Sequence, residues 1–554
     1  MQENKTTRIK SVYLWLPFML SVALVTGVLI GLQLKPVEAT MIVEDASIAQ
    51  TASGNSKIDQ LLRYIESKYV DEVDRDELVD EAIENILGQL DPHSSYISAE
   101  ELESINEQMQ GNFEGIGVEF MILEDTVVVI SALSGGPAES VGVKAGDRIV
   151  AVEDSIIAGN GITNAGIISL LKGKKGTTVE VGILRTGIDS IQHFEITRDE
   201  IPLESIDANY MISDNTGYIK VNRFAATTDR EFIDALEELQ REGMEDLILD
   251  LRHNPGGYLQ KATNMLNQLF DEKGNLMVYT QGRAVSRNDY NTSGRSIFNI
   301  DKIAVLIDEG TASASEIMAG AIQDHDRGIL VGRRSFGKGL VQEQYQLRDG
   351  SALRLTIARY YTPSGRSIQK PYDDTEAYRN DFNERYESGE LLSANNISIK
   401  DSTRYFTDNG RVVFGGGGII PDVFVPLDTQ LMQDDFLILR QFVPSFSFQL
   451  IQQYEAKLKN MDLNTFVKSF QIAPADFQAF LAYAKEQAPK TAPGIAPPLL
   501  KEQLKAELKA RIGKHFFQDE GYFQVINQSD PMITTALDAL ADYREILRRK
   551  QLRD

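Results

Sequence analysis

Short apolar runs of strand type alternate with amphipathic helical segments in the middle of this chain, and that alternation restricts the fold to mixed α/β architectures. The clearest helical segment repeats apolar residues at helical spacing, at Phe232, Ala235, Leu236 and Leu239. Strand-type runs lie between such segments, at residues 217–221, 246–251, 276–280, 303–307 and 328–331. Two more runs, residues 340–347 and 352–361, flank Asp349 and Gly350 and predict a hairpin. We therefore expect a mixed α/β region over residues 216–425.

The segments on either side of this region have different patterns. Residues 57–110 show helical apolar spacing, and Ser98 followed by Glu101 predicts a capping box at a helix start. Residues 111–198 change to short strands separated by glycine turns, and the last part of the chain is largely helical with a break at residues 489–498. The predicted domains are 1–37, a cytoplasmic tail and membrane anchor; 38–56, a linker; 57–110, an N-terminal helical region; 111–198, the glycine-turn module; 199–425, the α/β core; and 426–554, a C-terminal helical region.

The composition excludes several classes of function. A formal net charge of −25 argues against nucleic acid as the main partner, because phosphate binding needs clustered lysine and arginine. The chain has no cysteine, which excludes disulfides, a cysteine nucleophile and thiolate metal ligands. It also has no H-E-x-x-H sequence and no compact cluster of histidines and carboxylates, so neither a metal nor an organic cofactor is expected.

The N-terminus predicts a membrane anchor. Residues 11–34 carry no charge and are long enough to cross a bilayer core of about 30 Å. Lys5, Arg8 and Lys10 make the preceding tail basic, which favours its retention in the cytoplasm. The exit of the apolar run offers no clear cleavage site, although a removed signal peptide is the alternative. We expect a single transmembrane helix in a bacterial cytoplasmic membrane, with the bulk of the chain in the periplasm or outside the cell.

Two short segments carry the residues of a hydrolase. Residues 310–316, GTASASE, follow a strand-type run and precede a helical one, so their hydroxyl groups lie at a strand-to-helix turn. Residues 335–339, SFGKG, place Lys338 among glycines, 25 residues after Ser313. A lysine beside a serine at a helix N-terminus can accept the hydroxyl proton if burial lowers its pKa from about 10.4 towards 7. The pattern predicts a Ser-Lys hydrolase and leaves Ser315 as a competing nucleophile.

Other interpretations compete with this one. Residues 332–338 fit the phosphate-binding sequence G-x-x-x-x-G-K, but Gly339 replaces the Mg²⁺-binding Ser or Thr and a strand-type run follows, which disfavours an NTPase. A Ser-His hydrolase would use one of five histidines, of which His253 is the candidate because it lies beside a pair of glycines. A catalytically inactive, membrane-tethered scaffold would be supported by loss of Ser313 or Lys338, and both are present.

Seven segments in a fixed order resemble the carboxy-terminal processing peptidases, also called tail-specific proteases, over roughly residues 57–425. The matching segments are residues 90–96, the glycine-turn module, and residues 250–257, 310–316, 335–339 with Gln342, 360–369 and 415–423. The resemblance implies an α/β multidomain protein in which a PDZ domain at residues 111–198 precedes a mixed α/β, crotonase-like Ser-Lys protease core. In the PDZ region Lys172 stands where the family frequently has arginine.

The resemblance also implies roles for individual residues. The family's 25-residue spacing makes Ser313 the nucleophile and Lys338 the general base, and Gln342 would orient the lysine. Apolar burial of the lysine is expected from its neighbours Phe336 and Leu340.

Backbone N–H groups are expected to form two further sites. An oxyanion hole would take the N–H of Ala314, at the helix start, and that of either Gly256 or Gly257. The PDZ domain would bind a C-terminal carboxylate with a glycine loop followed by an open strand edge. The residues of that loop are Gly115, Ile116, Gly117 and Val118.

Together these expectations describe a membrane-anchored serine endopeptidase that recognises C-terminal tails through a PDZ domain and hydrolyses peptide bonds with a Ser-Lys dyad. The expected partners are proteins or peptides with free C-termini, and the membrane through one N-terminal helix. The sequence leaves open whether the chain forms a homo-oligomer and what residues 426–554 do.

Overall fold

The computed structural model describes residues 57–133, 135–490 and 498–549. The predicted tail, anchor and linker, residues 1–56, lie outside the described residues, and the anchor stays a prediction. Within the described ranges, no helix combines the length and the apolar character needed to cross a bilayer. The chain divides into two compact units, residues 1–81 and 82–554, and the sheets described below all lie in the second.

Helices occur throughout the described chain. Their bounds are α1 (Lys57–Lys68), α2 (Arg75–Gly88), α3 (Ala99–Gln110), α4 (Pro137–Ser140), α5 (Asn164–Leu171), α6 (Thr228–Arg241), α7 (Leu259–Leu269), α8 (Ala314–Asp324), α9 (Thr375–Arg379), α10 (Asp381–Glu387), α11 (Asp434–Arg440), α12 (Val443–Leu458), α13 (Leu463–Ser469), α14 (Pro474–Gln487), α15 (Pro498–Ile526), α16 (Pro531–Ala541) and α17 (Tyr543–Ile546). The predicted capping box at the start of α3 is confirmed, because Ser98 and Glu101 bond to each other's backbone N–H.

The strands fall between residues 95 and 424. Their bounds are β1 (Ser95–Ile97), β2 (Asn112–Gly115), β3 (Val118–Leu123), β4 (Thr126–Ala132), β5 (Arg148–Val152), β6 (Ser155–Ile156), β7 (Thr178–Leu184), β8 (Gln192–Thr197), β9 (Asp199–Pro202), β10 (Ile206–Met211), β11 (Thr216–Val221), β12 (Asp246–Asp250), β13 (Lys273–Gln281), β14 (Asn288–Ser293), β15 (Ile303–Ile307), β16 (Ile329–Gly332), β17 (Leu340–Gln346), β18 (Ala352–Tyr361), β19 (Asp401–Phe406), β20 (Val412–Gly415) and β21 (Val423–Phe424). All five strands predicted for the α/β region and both strands of the predicted hairpin are confirmed.

The core of the α/β region is a six-stranded sheet in the order β10-β11-β12-β15-β16-β21. Its strands are parallel except for β10, which pairs antiparallel with β11. Side chains alternate between its faces: Leu247 and Leu249 pack in one core with α6, α7 and α8, whereas Ile248 packs in another with α16. Burial on both faces explains why the inner strands carry apolar runs, such as residues 247–249 and 303–307.

A second sheet carries the predicted hairpin. It has the order β1-β18-β13-β14, and β17 pairs with β18 along most of its length. A bulge between Val341 and Gln342 interrupts the β17 register. A bulge redirects the side chain beside it. Here that side chain is Gln342, which points back towards Lys338.

The glycine-turn module forms a separate antiparallel sheet in the order β3-β4-β5-β7-β8, with β6 on β5. Residues from the sheet and from α4 and α5 enclose one hydrophobic core. Strand β3 is at the edge of this sheet, so one side of its backbone is not paired within it. The edge strand and the glycine loop before it are the arrangement expected of a PDZ domain.

The C-terminal region is helical, as predicted, and α11 to α15 enclose a hydrophobic core of their own. Helix α15 is broken at Phe517 and Gln518, whose backbone angles are not helical. The two halves cross at Gly513 and Gly521, where a Cβ on either glycine would lie 2.8 or 2.6 Å from the other's carbonyl oxygen. Glycine is needed there because the two backbones are in direct contact.

Candidate active site

Ser313 lies between the end of β15 and the start of α8, in a strained backbone conformation. Its φ is 57° and its ψ is −116°, a combination that residues with a Cβ rarely adopt. The preceding turn is fixed by the Thr311 hydroxyl, which donates to the Leu251 carbonyl at 2.9 Å and accepts from the Asp308 N–H at 2.9 Å. The Ser313 side chain is partly exposed and faces a cleft.

Ser315, the competing nucleophile, is fully buried. Its hydroxyl donates to the Asn254 carbonyl at 3.0 Å and so helps to tie the first turn of α8 to the loop after β12. The geometry therefore leaves Ser313 as the accessible hydroxyl of the pair.

Lys338 lines the same cleft, which has a volume of about 470 Å³. Its Nζ donates to Gln342 Oε1 at 3.0 Å, and Gln342 Nε2 donates to the His93 carbonyl, so the amide is held at both ends. Between the described Ser313 and Lys338 side chains no direct hydrogen bond is recorded. Catalytic hydrogen bonds are often long without substrate and shorten when it binds.

The surroundings of Lys338 favour its neutral form. Burial lowers the pKa of the ammonium below its ordinary value, and the Arg354 cation lowers it further, while Glu316 and Asp91 act in the opposite direction. Of the two expected apolar neighbours, Leu340 lines the cleft. Phe336 does not, because its ring packs edge-on against Tyr378 and under the Lys370 ammonium. A contribution of Phe336 to the burial of Lys338 stays a prediction.

A buried carboxylate, Glu316, connects the loops that carry Ser313 and Lys338. It accepts hydrogen bonds from the backbone N–H of Ser313 at 2.9 Å, Gly337 at 2.7 Å and Lys338 at 2.8 Å, and from the Ser335 hydroxyl. Burial raises its pKa to about 7, against the effect of these hydrogen bonds. Glu316 is not among the predicted site residues, although its position three residues after Ser313 is that of a capping box.

Tyr360 links the same two loops from the β18 side. Its hydroxyl lies 3.1 Å from the Ser313 carbonyl oxygen and against the Lys338 carbonyl oxygen. The ring is buried, and burial raises the pKa of the hydroxyl well above its ordinary value, so it stays a neutral donor.

Two backbone N–H groups beside Ser313 have no acceptor among the residues that the structure describes. In the described chain, the N–H groups of Ala314 and Gly257 have no recorded acceptor, and both residues line the cleft. The Gly256 N–H, by contrast, donates to Asn254 Oδ1 at 2.9 Å. Gly256 has a φ of +100°, and a Cβ there would lie 2.8 Å from Ser313 Cβ, so only glycine fits beside Ser313.

Residues 90–96 hold Gln342, which in turn bonds to Lys338. The Asp91 carboxylate accepts from Ser94 Oγ at 2.7 Å, from the His93 and Ser94 N–H groups at 2.9 Å, and from Thr356 Oγ1 at 3.0 Å. Burial alone would raise the Asp91 pKa, but these hydrogen bonds lower it below its ordinary value. The segment is thereby attached to β18 and presents the carbonyl that holds Gln342.

The histidines do not form a Ser-His pair in this structure. His253 is exposed, and its Nδ1 lies 3.1 Å from Asp308 Oδ2. His93 is bonded through its ring to the Tyr378 hydroxyl at 2.6 Å, and burial followed by the Lys338 charge lowers its pKa to about 4. Neither side chain lines the cleft that contains Ser313.

Two remaining alternatives also lack support in the geometry. The segment after Lys338 is strand β17, so no helix N-terminus is available there to bind phosphate. No group of three or more potential metal ligands occurs among residues 57–133, 135–490 and 498–549.

The predicted peptide-binding groove lies between β3 and α5, with a volume of about 280 Å³. The loop of residues 115–118 lies at one end of the groove. The N–H groups of Ile116 and Gly117 in this loop have no acceptor among the described residues. Lys172, at the end of α5, forms an ion pair with Glu107 of α3 at the rim of the groove.

Helix α3 lies beside both the groove and the catalytic cleft. One face of the helix lines the groove, with Ser104, Glu107 and Gln108. The other lines the cleft, with Ile105, Asn106 and Met109. The two cavities are thus separated by a single helix.

Four family models match this chain. Residues 215–375 match "Peptidase family S41" and residues 115–195 match "PDZ domain". Residues 30–101 match "Activating protease CtpB N-terminal domain", and residues 436–518 match a family of unknown function.

Curated relatives cover most of the same region. The chain is 35% identical over 330 residues to the carboxy-terminal processing protease CtpA of Bacillus subtilis. The aligned region covers 58% of this chain and 68% of the relative. It is 36% identical over 344 residues to the carboxy-terminal-processing protease of Bartonella bacilliformis, covering 60% and 77%. Among solved structures, it is similar to a photosystem II D1 C-terminal processing protease, with 31% identity, coverage of 57% and 87%, and a TM-score of 0.32.

Proposed function

Because this chain belongs to the carboxy-terminal processing proteases, which are serine peptidases of family S41, we propose that it cleaves peptide bonds with Ser313 as nucleophile and Lys338 as general base. The observation that carries the proposal is that the accessible serine and the half-buried lysine line one cleft. Glu316 and Tyr360 each contact the backbone of both residues, which supports their acting together.

In the proposed reaction the neutral Lys338 amine accepts the proton of Ser313 Oγ as that oxygen attacks the substrate carbonyl carbon. The N–H groups of Ala314 and Gly257 stabilise the resulting oxyanion. The Lys338 ammonium then protonates the leaving amine, the C–N bond breaks, and an acyl-Ser313 ester remains. Water, deprotonated by Lys338, hydrolyses the ester and regenerates the serine. These steps need no metal or organic cofactor.

We further propose that the PDZ domain binds the C-terminus of the substrate. The free N–H groups of Ile116 and Gly117 are suited to a carboxylate, and β3 offers its edge to the last few residues of the peptide. The groove beside that edge is largely apolar, with Phe120, Ile168 and Leu171 among its walls. Binding at this remote site would help to place the chain across Ser313.

A substrate with a free C-terminus should be cleaved about 10-fold faster, in kcat/KM, than the same peptide amidated, because amidation removes the charge that the N–H groups bind. Ile168→Asp, in the groove wall, should reduce this ratio towards one. Ile156→Asp is the matched control, since that exposed isoleucine lies on β6 outside the groove. Equal rates for acid and amide in the unmodified protein would contradict PDZ selection of C-termini.

We also propose that the protein is anchored in the cytoplasmic membrane by residues 11–34, with the protease in the periplasm or outside the cell. The uncharged run and the basic tail before it support this placement. After fractionation, the full-length chain should sediment with membranes and be digested by protease added from the outer side. A soluble mature form beginning near residue 38 would instead identify a removed signal peptide.

A further inference from the structure

Arg354 is a charged residue of the catalytic cleft to which the proposed reaction gives no role. It lies on β18, opposite Gln344 of β17 on one side and Ser95 of β1 on the other. It is half-buried and lines the same cleft as Ser313 and Lys338. Its guanidinium therefore belongs to the wall that a bound peptide would touch.

Arg354 differs from the buried arginines in having no carboxylate partner among residues 57–133, 135–490 and 498–549. In the described part of the chain five arginines are buried, and each forms an ion pair: Arg333 with Glu309, Arg334 with Glu390, Arg366 with Asp324, Arg385 with Asp381, and Arg411 with Asp326 and Asp422. Within the described part of the chain, the Arg354 side chain forms neither an ion pair nor a hydrogen bond. A half-buried guanidinium without a partner is unfavourable, because it has lost part of its hydration.

The carboxylates near the cleft accept hydrogen bonds from groups other than Arg354. The charged and titratable groups around Arg354 and Lys338 are Asp91, His93, Glu316 and Glu343. Glu316 and Asp91 accept the hydrogen bonds described above, and the exposed Glu343 accepts from the Tyr345 hydroxyl at 2.7 Å. None of these groups pairs with Arg354, so its guanidinium is left available to a carboxylate of a bound peptide.

We propose that Arg354 binds a carboxylate of the peptide in the cleft and thereby determines part of the cleavage specificity. The carboxylate comes either from an acidic side chain within a few residues of the scissile bond or from the new C-terminus of the cleaved product. A guanidinium can bind either one through two parallel hydrogen bonds. The inference rests on the proposed Ser313–Lys338 site and names the chemistry that this site accepts.

The first arm of the test uses peptides that differ only by Glu or Gln at each position flanking the scissile bond. At one position the unmodified enzyme should prefer Glu by about 10-fold in kcat/KM, and Arg354→Gln should remove that preference. Arg354→Glu should instead favour Lys at the same position. Arg348→Gln is the control, because Arg348 is exposed in the turn of the same hairpin, and it should keep the preference for Glu.

The second arm measures inhibition by the N-terminal cleavage product, as free acid and as amide. If the new C-terminus is the ligand, the acid should inhibit about 10-fold more strongly than the amide, and Arg354→Gln should remove the difference. Unchanged ratios in both arms, with an active Arg354→Gln enzyme, would overturn the inference. Failure of the proposed dyad would look different, because Ser313→Ala would then retain activity whatever the ratios.

Discussion

Ser313→Ala and Lys338→Ala are each expected to reduce kcat by about 10⁴-fold or more while leaving the protein folded. Without Ser313 no acyl-enzyme can form, and without Lys338 no group in the cleft is placed to accept the hydroxyl proton. The double variant should be no slower than either single one, because the two residues act as a unit. Cleavage of a fluorogenic peptide, with circular dichroism to verify folding, measures the effect.

Two further variants control for this result. Lys338→Arg keeps a positive charge and a long side chain, but arginine stays protonated and cannot act as a base, so its activity should be as low as that of Lys338→Ala. Ser315→Ala removes a buried hydroxyl whose one hydrogen bond within the described chain is to the Asn254 carbonyl, so it should cost about 1 kcal/mol of stability and retain activity. Full activity in Ser313→Ala, or its loss in Ser315→Ala alone, would reverse the assignment of the nucleophile.

Glu316→Ala is expected to lower the free energy of unfolding by about 3–5 kcal/mol and to lower kcat as well. The substitution leaves the N–H groups of Ser313, Gly337 and Lys338 and the Ser335 hydroxyl without their acceptor. Glu316→Gln should not rescue the loss, since either amide orientation places its NH₂ against a backbone N–H. Urea unfolding measures the change, with Glu343→Gln as the control at an exposed glutamate of the same cleft.

The stability change at Glu316 should also depend on pH. Its pKa of about 7 in the folded protein is above its ordinary 4.5, so the folded state binds the proton more tightly than the unfolded chain. The stability contribution of the protonated carboxyl is therefore fully present below about pH 4.5 and is lost as pH rises through 7. The difference between the unmodified protein and Glu316→Ala should shrink by about 3 kcal/mol across that range. A difference that grows with pH would contradict the raised pKa.

Much of the fold could be predicted because the inner strands of the central sheet, β11, β12, β15 and β16, are buried on both faces. Residues 303–307 are apolar without interruption, residues 247–249 form an apolar run between Asp246 and Asp250, and the structure has strands at both. The family resemblance is also confirmed by the matching models and relatives. Strand β1 was not predicted, because three residues carry no measurable period and its pairing with β18 joins distant positions, such as Ser95 and Arg354.

The candidate site was predictable only in part. Ser313, Lys338 and Gln342 are found together around one cleft, but their catalytic roles stay predictions. The contributions of Glu316 and Tyr360 were not predicted, because only the capping-box position of Glu316 is visible in the sequence, whereas their bonds to the loop of Lys338 join distant positions and go mainly to backbone groups. Which of Gly256 and Gly257 completes the oxyanion hole likewise depends on which N–H already donates a hydrogen bond. The Gly256 N–H donates to Asn254 Oδ1.

The most direct test of the Ser313–Lys338 dyad is to label the enzyme with a serine-reactive fluorophosphonate across a range of pH and to locate the adduct by peptide mapping. The account predicts one adduct, on Ser313, whose formation rate rises with pH through a pKa below the ordinary 10.5 of lysine. In Lys338→Met the labelling rate should fall steeply and lose this pH dependence. An adduct on Ser315, or equal labelling rates with and without Lys338, would contradict the dyad.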